Sequence, residues 1–379
     1  MPGKIPPFSL GIEEEYLLVD PKTRDLVIDV PEQLMADCEA RLESRVSPEF
    51  LKCQVEVGTS VCKTVKQAAE EVRFLRRSVA EIAEAYGFAL VAASTHPTAA
   101  WNTQKHTDKE RYNILARDMQ AVARRLVICG MHVHVGLDDD DLRIDLLGQI
   151  AYFLPHLLAL STSSPFWRGE NTGLKSYRLA VFDELPRTGL PEHHDSWGEY
   201  SRHIEAIVGA GLIEDASKIW WDVRPSARFP TLELRIPDIC TQYRDGVAIA
   251  ALFVCLLRML YRLKLNNQRW RRYSNMLIQE NRWRAQRYGY DEGLVDFGKG
   301  EVGGYAGLLE EIIELTREDA EALDCVEEIL HAREILSRGT SAHRQLAVYE
   351  AALAAGAAKP DALNAVVDFL IEETRAGLE

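Results

Sequence analysis

Apolar residues recur along the chain with two different periods. A spacing of three to four residues, typical of amphipathic helices, predicts helices at about 64–87, 108–126, 141–160, 197–208, 244–265, 275–287, 305–333, 342–357 and 361–375. Thr64 is suited to cap the first helix, Gly87 to end it, and Pro360 to the first turn of the last. Alternating or short β-branched runs predict strands at about 8–19, 51–58, 88–93, 130–137, 220–223 and 231–236.

The order of these elements indicates an α+β fold. The 379 residues are enough for one large domain or two smaller ones, and no internal repeat or long linker divides them. Because strands and helices do not alternate strictly, a doubly wound parallel sheet is not favoured. We therefore predict one domain over residues 1–379, with a mixed or antiparallel sheet whose outer side is covered by helices.

The segment LGIEEEYLLVD, residues 10–20, places three glutamates inside a predicted strand. Alternate side chains of a strand point to opposite faces. Glu13 and Glu15 therefore share one face, while Glu14 lies on the other beside Ile12 and Tyr16. Neighbouring carboxylates in a folded interior repel each other unless a cation lies between them. This strand therefore raises the question of a cation site.

Three further predicted strands each carry polar side chains two residues apart. These pairs are Gln54 and Glu56, His132 and His134, and Glu233 and Arg235. A single such strand is most simply a surface strand with its polar face in water. In the four strands together, the central polar residues are Glu, His, Arg and Gln. A face exposed to solvent usually includes Lys, Ser and Thr as well. The four strands favour a concave sheet whose polar face lines a cleft holding cations.

The side chains of this face favour hard divalent cations. Carboxylate oxygens suit Mg²⁺ or Mn²⁺, and a single imidazole is tolerated, whereas zinc prefers more His or Cys. Several carboxylates can hold two or more metal ions, which suggests a polyphosphate substrate. Arg235 is a candidate contact for a transferring phosphoryl group or a substrate carboxylate. Because the chain has no GxxxxGK[ST] loop, a nucleotide would be bound through metals and side chains.

Several basic residues outside the polar pairs are candidates for binding an anionic substrate. Arg224 and Arg228 precede the strand that carries Glu233. Ion pairs with acidic residues on the surface would explain these two arginines equally well. For the basic helix at 280–289, a solvated face is the commoner explanation. The candidate anion contacts are Lys175, Arg178, Arg224, Arg284, Arg287 and Arg344.

Composition excludes some classes of partner and indicates a cytoplasmic protein. A formal net charge of −14 argues against nonspecific binding to nucleic acid or to anionic membranes. The N-terminus has no basic region followed by an apolar run, so we expect no signal peptide. The most apolar segment, 247–257, is soon followed by Arg258 and is expected to be a buried helix. Seven cysteines without a CxxC pair are typical of reduced thiols.

An ordered series of short motifs resembles one enzyme family. The motifs are GIEEEYLLVDP, VEVGTSVC, STHP, CGMHVHVG, SSPFW, TGLKSYR, LPRTGLP, WWDVRPS..FPTLELRIPD, NRWRAQRYG and GTSAHRQL. Together, from about residue 8 to about residue 375, they are similar to the YbdK-like carboxylate–amine ligases of the type 2 glutamate–cysteine ligase family.

The resemblance implies a fold and a reaction. The fold would be related to the catalytic domain of glutamine synthetase and guanido kinases, in which a curved antiparallel sheet forms a funnel around metal-bound ATP. A substrate carboxylate would take the γ-phosphoryl group of ATP, and an amine would attack the resulting acyl phosphate. L-Glutamate and L-cysteine are the default substrates, giving γ-glutamylcysteine, ADP and phosphate. ATP with Mg²⁺ or Mn²⁺ is implied, and a homodimer is a further expectation for a protein of this size.

The resemblance also assigns roles to individual residues. Arg235 would stabilise the transferring phosphoryl group and, with Glu13 and Glu233, would form the catalytic set. Glu14, on the opposite face, should be structural or exposed, and no cysteine is needed. The implied metal ligands are Glu13, Glu15, Glu56, His132 and Glu233, with His134 matching the same motif.

Two other functions fit parts of the pattern. His132-x-His134 with acidic residues is a candidate zinc site of a metal-dependent hydrolase, which would require zinc and not ATP. A catalytically quiet homologue would instead bind ATP–Mg²⁺ or an amino acid without turnover. The excess of carboxylates disfavours the hydrolase, and the complete set of Glu, His and Arg residues disfavours the quiet homologue.

Overall fold

A seven-stranded antiparallel sheet forms the centre of the computed structural model, which describes residues 5–100, 104–108, 110–120, 122 and 125–379. The strands lie in the order β6-β7-β5-β1-β3-β2, and β4 pairs with the end of β1. In chain order they are β1 Leu10–Val19, β2 Val46–Pro48, β3 Gln54–Gly58, β4 Ala89–Val91, β5 Met131–Gly136, β6 Val223–Pro225 and β7 Thr231–Leu234. The structure confirms the predicted α+β class and an antiparallel sheet.

The helices pack on one side of this sheet and around its edges. They are α1 Glu32–Leu42, α2 Val65–Ala85, α3 Glu110–Met119, α4 Asp140–Ile150, α5 Leu154–Ser161, α6 Tyr177–Phe182, α7 Trp197–Gly209, α8 Tyr243–Leu265, α9 Asn275–Tyr288, α10 Tyr305–Ala322, α11 Val326–Arg338, α12 Ser341–Ala354 and α13 Lys359–Arg375. Short 3-10 turns occupy Glu43–Arg45, Ala151–Phe153 and Ala216–Lys218. Small strand pairs join Phe166–Trp167 to Glu170–Asn171, Thr188–Gly189 to Trp220–Trp221, and Leu294–Asp296 to Glu301–Gly303.

The register of the strands brings the predicted polar residues together on one face. Glu13 of β1 lies opposite His132 of β5, and Glu15 lies opposite Glu56 of β3. On the far side of β5, His134 lies opposite Glu233 of β7. Residues opposite each other on paired strands share a face, so four strands contribute to a single polar surface.

The other face of the sheet carries the apolar core. Ile12, Tyr16 and Leu18 of β1 are fully buried there, and helices α2 and α8 pack against it. Two stretches, Asp140–Ser161 and Tyr243–Leu265, are long and apolar enough to cross a membrane, but 83% of each apolar window is buried inside the protein. Both are therefore core helices, which confirms the expectation for segment 247–257.

Glu14 also points into this apolar side, where it forms a buried ion pair. Its carboxylate accepts hydrogen bonds from Arg76 Nη2 at 2.6 Å and from Arg76 Nε at 3.1 Å, and Tyr16 donates to it as well. Arg76 also donates to the carbonyls of Cys240 and Thr241, which precede α8. Of the two predicted environments for Glu14, structural or exposed, the structure shows the structural one.

Some elements differ from the sequence prediction. The predicted helix at 141–160 is divided by the 3-10 turn Ala151–Phe153, and the one at 305–333 is divided at 323–325. Helices α1 and α6 were not predicted: α6 has only six residues, and in α1 the buried residues Leu34, Cys38 and Leu42 recur every four residues in a segment rich in charged side chains. Of the predicted helix at 108–126, residues 109, 121, 123 and 124 lie outside the described residues, and α3 ends at Met119. Thr64 caps α2 as predicted, accepting from the Gln67 backbone N–H at 3.1 Å.

Candidate active site

Carboxylates and imidazoles converge on the polar face of the sheet. His132 Nδ1 lies 3.1 Å from Glu13 Oε2, and His134 Nε2 lies 3.5 Å from Glu13 Oε1. Glu13, Glu56 and His132 each offer a ligand atom within 4.8 Å of the others. The structure therefore brings together three of the predicted metal ligands from β1, β3 and β5.

A second group of carboxylates adjoins the first and includes a residue that the sequence analysis missed. Ligand atoms of Glu15, Glu49 and Glu56 also lie within 4.8 Å of one another. Glu56 belongs to both groups, so it would bridge them. Glu49 follows β2 in a loop, where no alternation marks it. The signal in the sequence was its position: Glu49 lies in the short connection that leads into β3, five residues before Gln54.

The positions of Glu15 and Glu56 are fixed by hydrogen bonds. The Gly130 N–H donates to Glu15 Oε2 at 2.6 Å, and Ser47 Oγ donates to Glu56 Oε2 at 2.9 Å. Gly130 approaches closely because it has no side chain: a Cβ there would lie 2.4 Å from Arg178 Nη2. Any other residue at 130 would displace either the guanidinium or the strand.

The electrostatics of these groups fit a divalent cation. Burial raises the pKa of Glu56 well above its ordinary value, and the negative charges of Glu49, Glu13 and Glu15 raise it further. Burial also acts to raise the pKa of Glu13, but hydrogen bonds and charge from His132 and His134 lower it below its ordinary value. Carboxylates gathered in this way repel one another, and a hard cation between their oxygens would relieve the repulsion. The residues present therefore fit Mg²⁺ or Mn²⁺.

Glu233 lies beside this cluster but is committed to arginines. Arg224 donates to both of its oxygens, at 2.9 and 3.0 Å, and Arg235 pairs with one of them. Burial acts to raise the pKa of Glu233, but Arg235 and Arg224 lower it below its ordinary value. Within the described residues, neither Glu233 nor His134 belongs to a group of converging ligand atoms. Their assignment as metal ligands stays a prediction.

The backbone of Arg235 is held by Asp222, which belongs to a buried network of charges. Its backbone N–H and that of Ile236 donate to the Asp222 carbonyl, at 2.8 and 3.0 Å. The Asp222 carboxylate accepts two hydrogen bonds from Arg282 of α9, at 2.7 and 3.1 Å, and Arg282 pairs with Asp183 as well. The sequence analysis selected Arg284 and Arg287 on this helix and missed Arg282, because a buried arginine has no sequence signal apart from its partners.

Arg178 is a buried cation that faces the same cavity. Its side chain donates to the carbonyls of Arg235 and Ile236, at 3.1 and 3.2 Å, and its Nε has no hydrogen-bond partner among the described residues. Burial lowers its pKa, and Asp238 nearby acts in the opposite direction. A buried guanidinium without a hydrogen-bonded carboxylate is suited to an anionic ligand.

A cavity of about 450 Å³ unites these groups. Arg224 of β6 and Arg235, just after β7, lie beside the carboxylates on the same polar face of the sheet. Arg178 of α6 and the exposed Arg228 also line the cavity. Apolar side chains close the remaining sides: Phe50, Ile128, Phe182, Leu185 and Trp220. The cavity thus contains a group of carboxylates and, beside it, a group of arginines.

Four predicted anion contacts do not line this cavity. Lys175 pairs with Asp291 at 3.2 Å, and Arg344 pairs with Glu373. Arg284 and Arg287 donate to the carbonyls of Gly293 and Gly173. The structure therefore divides the predicted set, since only Arg178 and Arg224 accompany Arg235.

Comparison with known proteins identifies the family. The sequence model of the family described as glutamate–cysteine ligase family 2 matches residues 9–367. Relatives that carry the provisional name glutamate–cysteine ligase 2 are 61% identical over 377 residues in Rhodospirillum rubrum, covering 98% of this chain and 97% of the relative, and 54% identical over 371 residues in Jannaschia sp., covering 98% of each.

Solved structures share the fold at low sequence identity. The glutamate–cysteine ligase of Francisella tularensis in complex with AMP superposes with a TM-score of 0.68 at 14% identity, covering 98% of this chain and 90% of that one. A bifunctional glutathione synthetase from Pasteurella multocida gives the same TM-score at 15% identity, covering 97% of this chain and 53% of its own.

The fold and these comparisons define the class of protein as an ATP-dependent carboxylate–amine ligase. The chain belongs to glutamate–cysteine ligase family 2.

Proposed function

We propose that the protein activates the carboxylate of L-glutamate with ATP and joins it to the amine of L-cysteine. The products would be γ-glutamylcysteine, ADP and phosphate. One observation carries the proposal: converging carboxylates with His132 and three arginines line the same cavity. This arrangement fits a reaction between a metal-bound polyphosphate and an anionic acceptor.

The converging carboxylates fit the metal-binding part of the reaction. Glu13, Glu56 and His132 would hold one Mg²⁺ or Mn²⁺, and Glu15, Glu49 and Glu56 would hold another. Such ions neutralise charge on the oxygens of a bound triphosphate when they are present. The Gly130 N–H and the Ser47 hydroxyl keep Glu15 and Glu56 in place, so little reorganisation is needed when the ligand binds.

The three arginines fit the transferring group and the substrate carboxylate. Glu233 fixes the direction of the Arg224 and Arg235 guanidiniums, and in the part of the chain that the structure describes Arg178 Nε has no hydrogen-bond partner. We propose that Arg235 stabilises charge on the transferring phosphoryl group and that Arg178 orients the substrate carboxylate. The carboxylate oxygen would bond to the γ-phosphorus as the bond to the ADP oxygen breaks. Nitrogen of the amine would then attack the acyl carbon, phosphate would leave, and the amine would lose a proton.

No cysteine of the protein takes part in this scheme. All seven thiols are free and buried, and none lines the cavity formed by the described residues. Burial raises the pKa of Cys38 and Cys62 to about 11 and that of Cys53 to about 12, which disfavours the nucleophilic thiolate. Reduced thiols and a small-molecule reaction support our proposal that the enzyme works in the cytoplasm.

The proposal is tested by measuring ADP and phosphate release from ATP–Mg²⁺ with a panel of carboxylates and amines. The wild type is compared with Glu13→Gln and Arg235→Ala, and exposed Glu350→Gln is the matched control. We expect turnover that requires both glutamate and cysteine, a loss of at least about 100-fold in each site variant, and no change in the control.

Other outcomes would each replace the proposal with a named alternative. Turnover with glutamate and a different amine would change the second substrate and keep the reaction. ATP bound without turnover under every combination would establish the catalytically quiet homologue. Hydrolysis that requires zinc and no ATP would establish the metal-dependent hydrolase.

A further inference from the structure

Two histidines meet outside the cavity, where the loop before α7 packs against that helix. His194, in the loop, is 6% exposed, and His203, on α7, is exposed. His194 Nε2 lies 3.1 Å from His203 Nδ1. Two nitrogen ligands of one tetrahedral zinc ion lie roughly 3.3 Å apart, because each Zn–N bond is about 2.0–2.1 Å long. The two ring nitrogens are therefore already close to the separation of a pair of zinc ligands.

The hydrogen bonds of His194 place its proton on Nδ1. This nitrogen lies 3.1 Å from the Glu192 carbonyl oxygen, which can only accept a hydrogen bond, so Nδ1 is the donor. Burial favours the neutral ring, and in this tautomer Nε2 carries a lone pair. A histidine that binds a metal ion through one nitrogen commonly donates from the other to a backbone carbonyl or a carboxylate. His194 therefore presents a ligand atom toward His203.

A carboxylate from α7 is held beside the same loop. Glu199 precedes His203 by four residues, so the two side chains lie on one face of the helix. Glu199 Oε2 accepts from the Asp195 N–H at 2.7 Å, and Asp195 directly follows His194. This bond keeps the carboxylate against the segment that carries the buried imidazole. Two imidazoles and one glutamate are a ligand set of zinc, with water in the fourth position.

We propose that His194, His203 and Glu199 form a binding site for one zinc ion. Imidazole nitrogens suit zinc, whereas Mg²⁺ prefers oxygen ligands. None of the three proposed ligands lines the cavity, so the site is separate from the converging carboxylates and does not depend on the proposed reaction.

Bound zinc would stabilise the segment beside the cavity. The ion would join the loop before α7 to the helix through His194 and His203. The His194 ring also contacts the Trp221 ring, with centroids 6.0 Å apart, and the neighbouring Trp220 lines the cavity. A ligand that binds only the folded chain raises its stability by mass action, so zinc should raise the melting temperature.

The site is tested by isothermal titration of the purified chain with Zn²⁺ in excess Mg²⁺, which competes for the carboxylates of the cavity. We expect one Zn²⁺ to bind per chain. His203→Gln and His194→Gln should each raise the zinc dissociation constant at least about tenfold, because even the loss of a residue that only orients a ligand costs about that much. The side chain of His203 is exposed, so its variant should fold. Exposed His193→Gln is the matched control and should bind zinc as the wild type does.

A further variant separates this site from the carboxylates of the cavity. Glu13→Gln should keep the zinc affinity of the wild type. Zinc should raise the melting temperature of the wild type, His193→Gln and Glu13→Gln, and leave that of His203→Gln unchanged. No zinc binding by the wild type in excess Mg²⁺ would overturn the inference. So would equal zinc affinities in the wild type and His203→Gln, or zinc binding that is lost in Glu13→Gln and kept in His203→Gln.

Discussion

Consecutive glutamates on β1 work on opposite sides of the sheet. Glu13 faces two imidazoles in the cavity, whereas Glu14 is buried against Arg76 in the core. Glu15 returns to the cavity and accepts from the Gly130 N–H. A shift of one residue in the register of β1 would exchange these environments. The buried pair on the core side therefore also fixes which carboxylates reach the cavity.

Two buried histidines make stability depend on pH. Burial lowers the pKa of His96 and of His156 to about 4, from 6.5. Between pH 4 and pH 6.5, each histidine is therefore neutral in the folded protein and takes up a proton when the protein unfolds. The stabilisation is complete above pH 6.5 and is lost as pH falls toward 4. At pH 5 each histidine should cost about 2 kcal/mol of unfolding free energy relative to pH 7.

The measurement is urea unfolding at pH 7 and pH 5, with His156→Phe compared with the wild type. Phenylalanine suits the aromatic surroundings of Tyr152, Phe153 and Tyr305, so the variant should fold and lose about 2 kcal/mol less between the two pH values. Exposed His193→Gln is the control and should behave as the wild type. Equal losses in His156→Phe and the wild type would contradict this prediction.

At the scale of elements, alternation within strands was the most informative sequence signal. The period of two is fixed by backbone geometry, so Glu13, Glu56 and His132 could be assigned to one face before their strands were known to be neighbours. Residues outside periodic segments gave no such signal, as Glu49 shows. Buried charges such as Arg282 also escaped prediction, because their environment depends on partners such as Asp222, 60 residues away in sequence.

Helix α2 is tied to the sheet by the ion pair between Arg76 and Glu14. Both side chains are fully buried, so removing one leaves the other charge without compensation. Arg76→Ala should lower the free energy of unfolding by about 3–5 kcal/mol, measured by urea denaturation. Neighbouring Arg77→Ala, whose side chain is 39% exposed and reaches Glu81 only at 3.9 Å, should cost less than about 1 kcal/mol. Similar costs for the two variants would show that the buried pair does not hold this contact.

At the scale of the whole molecule, the fold was predictable as a class and less so as a topology. The period and order of the elements predicted a mixed or antiparallel sheet with helices outside it. They did not give the strand order, in which β5 lies between β1 and β7 although 90 or more residues separate them in sequence. Such long-range pairings are selected by packing of side chains from distant segments, and a local pattern does not record them.

The prediction of one domain over residues 1–379 is tested by the cooperativity of unfolding. Most of the buried apolar residues form one cluster, which extends from Phe8 to Leu378. Helix α8 contacts α2 on one side and α10 and α11 on the other, while Thr374 of α13 accepts from the Ala92 N–H beside β4. Because this single cluster draws on residues from both ends of the chain, the chain should unfold as one unit. Calorimetry should then show one transition, with equal calorimetric and van't Hoff enthalpies. Arg76→Ala should move the whole transition to lower temperature. Two resolved transitions, or movement of only part of one, would divide the chain into separate domains.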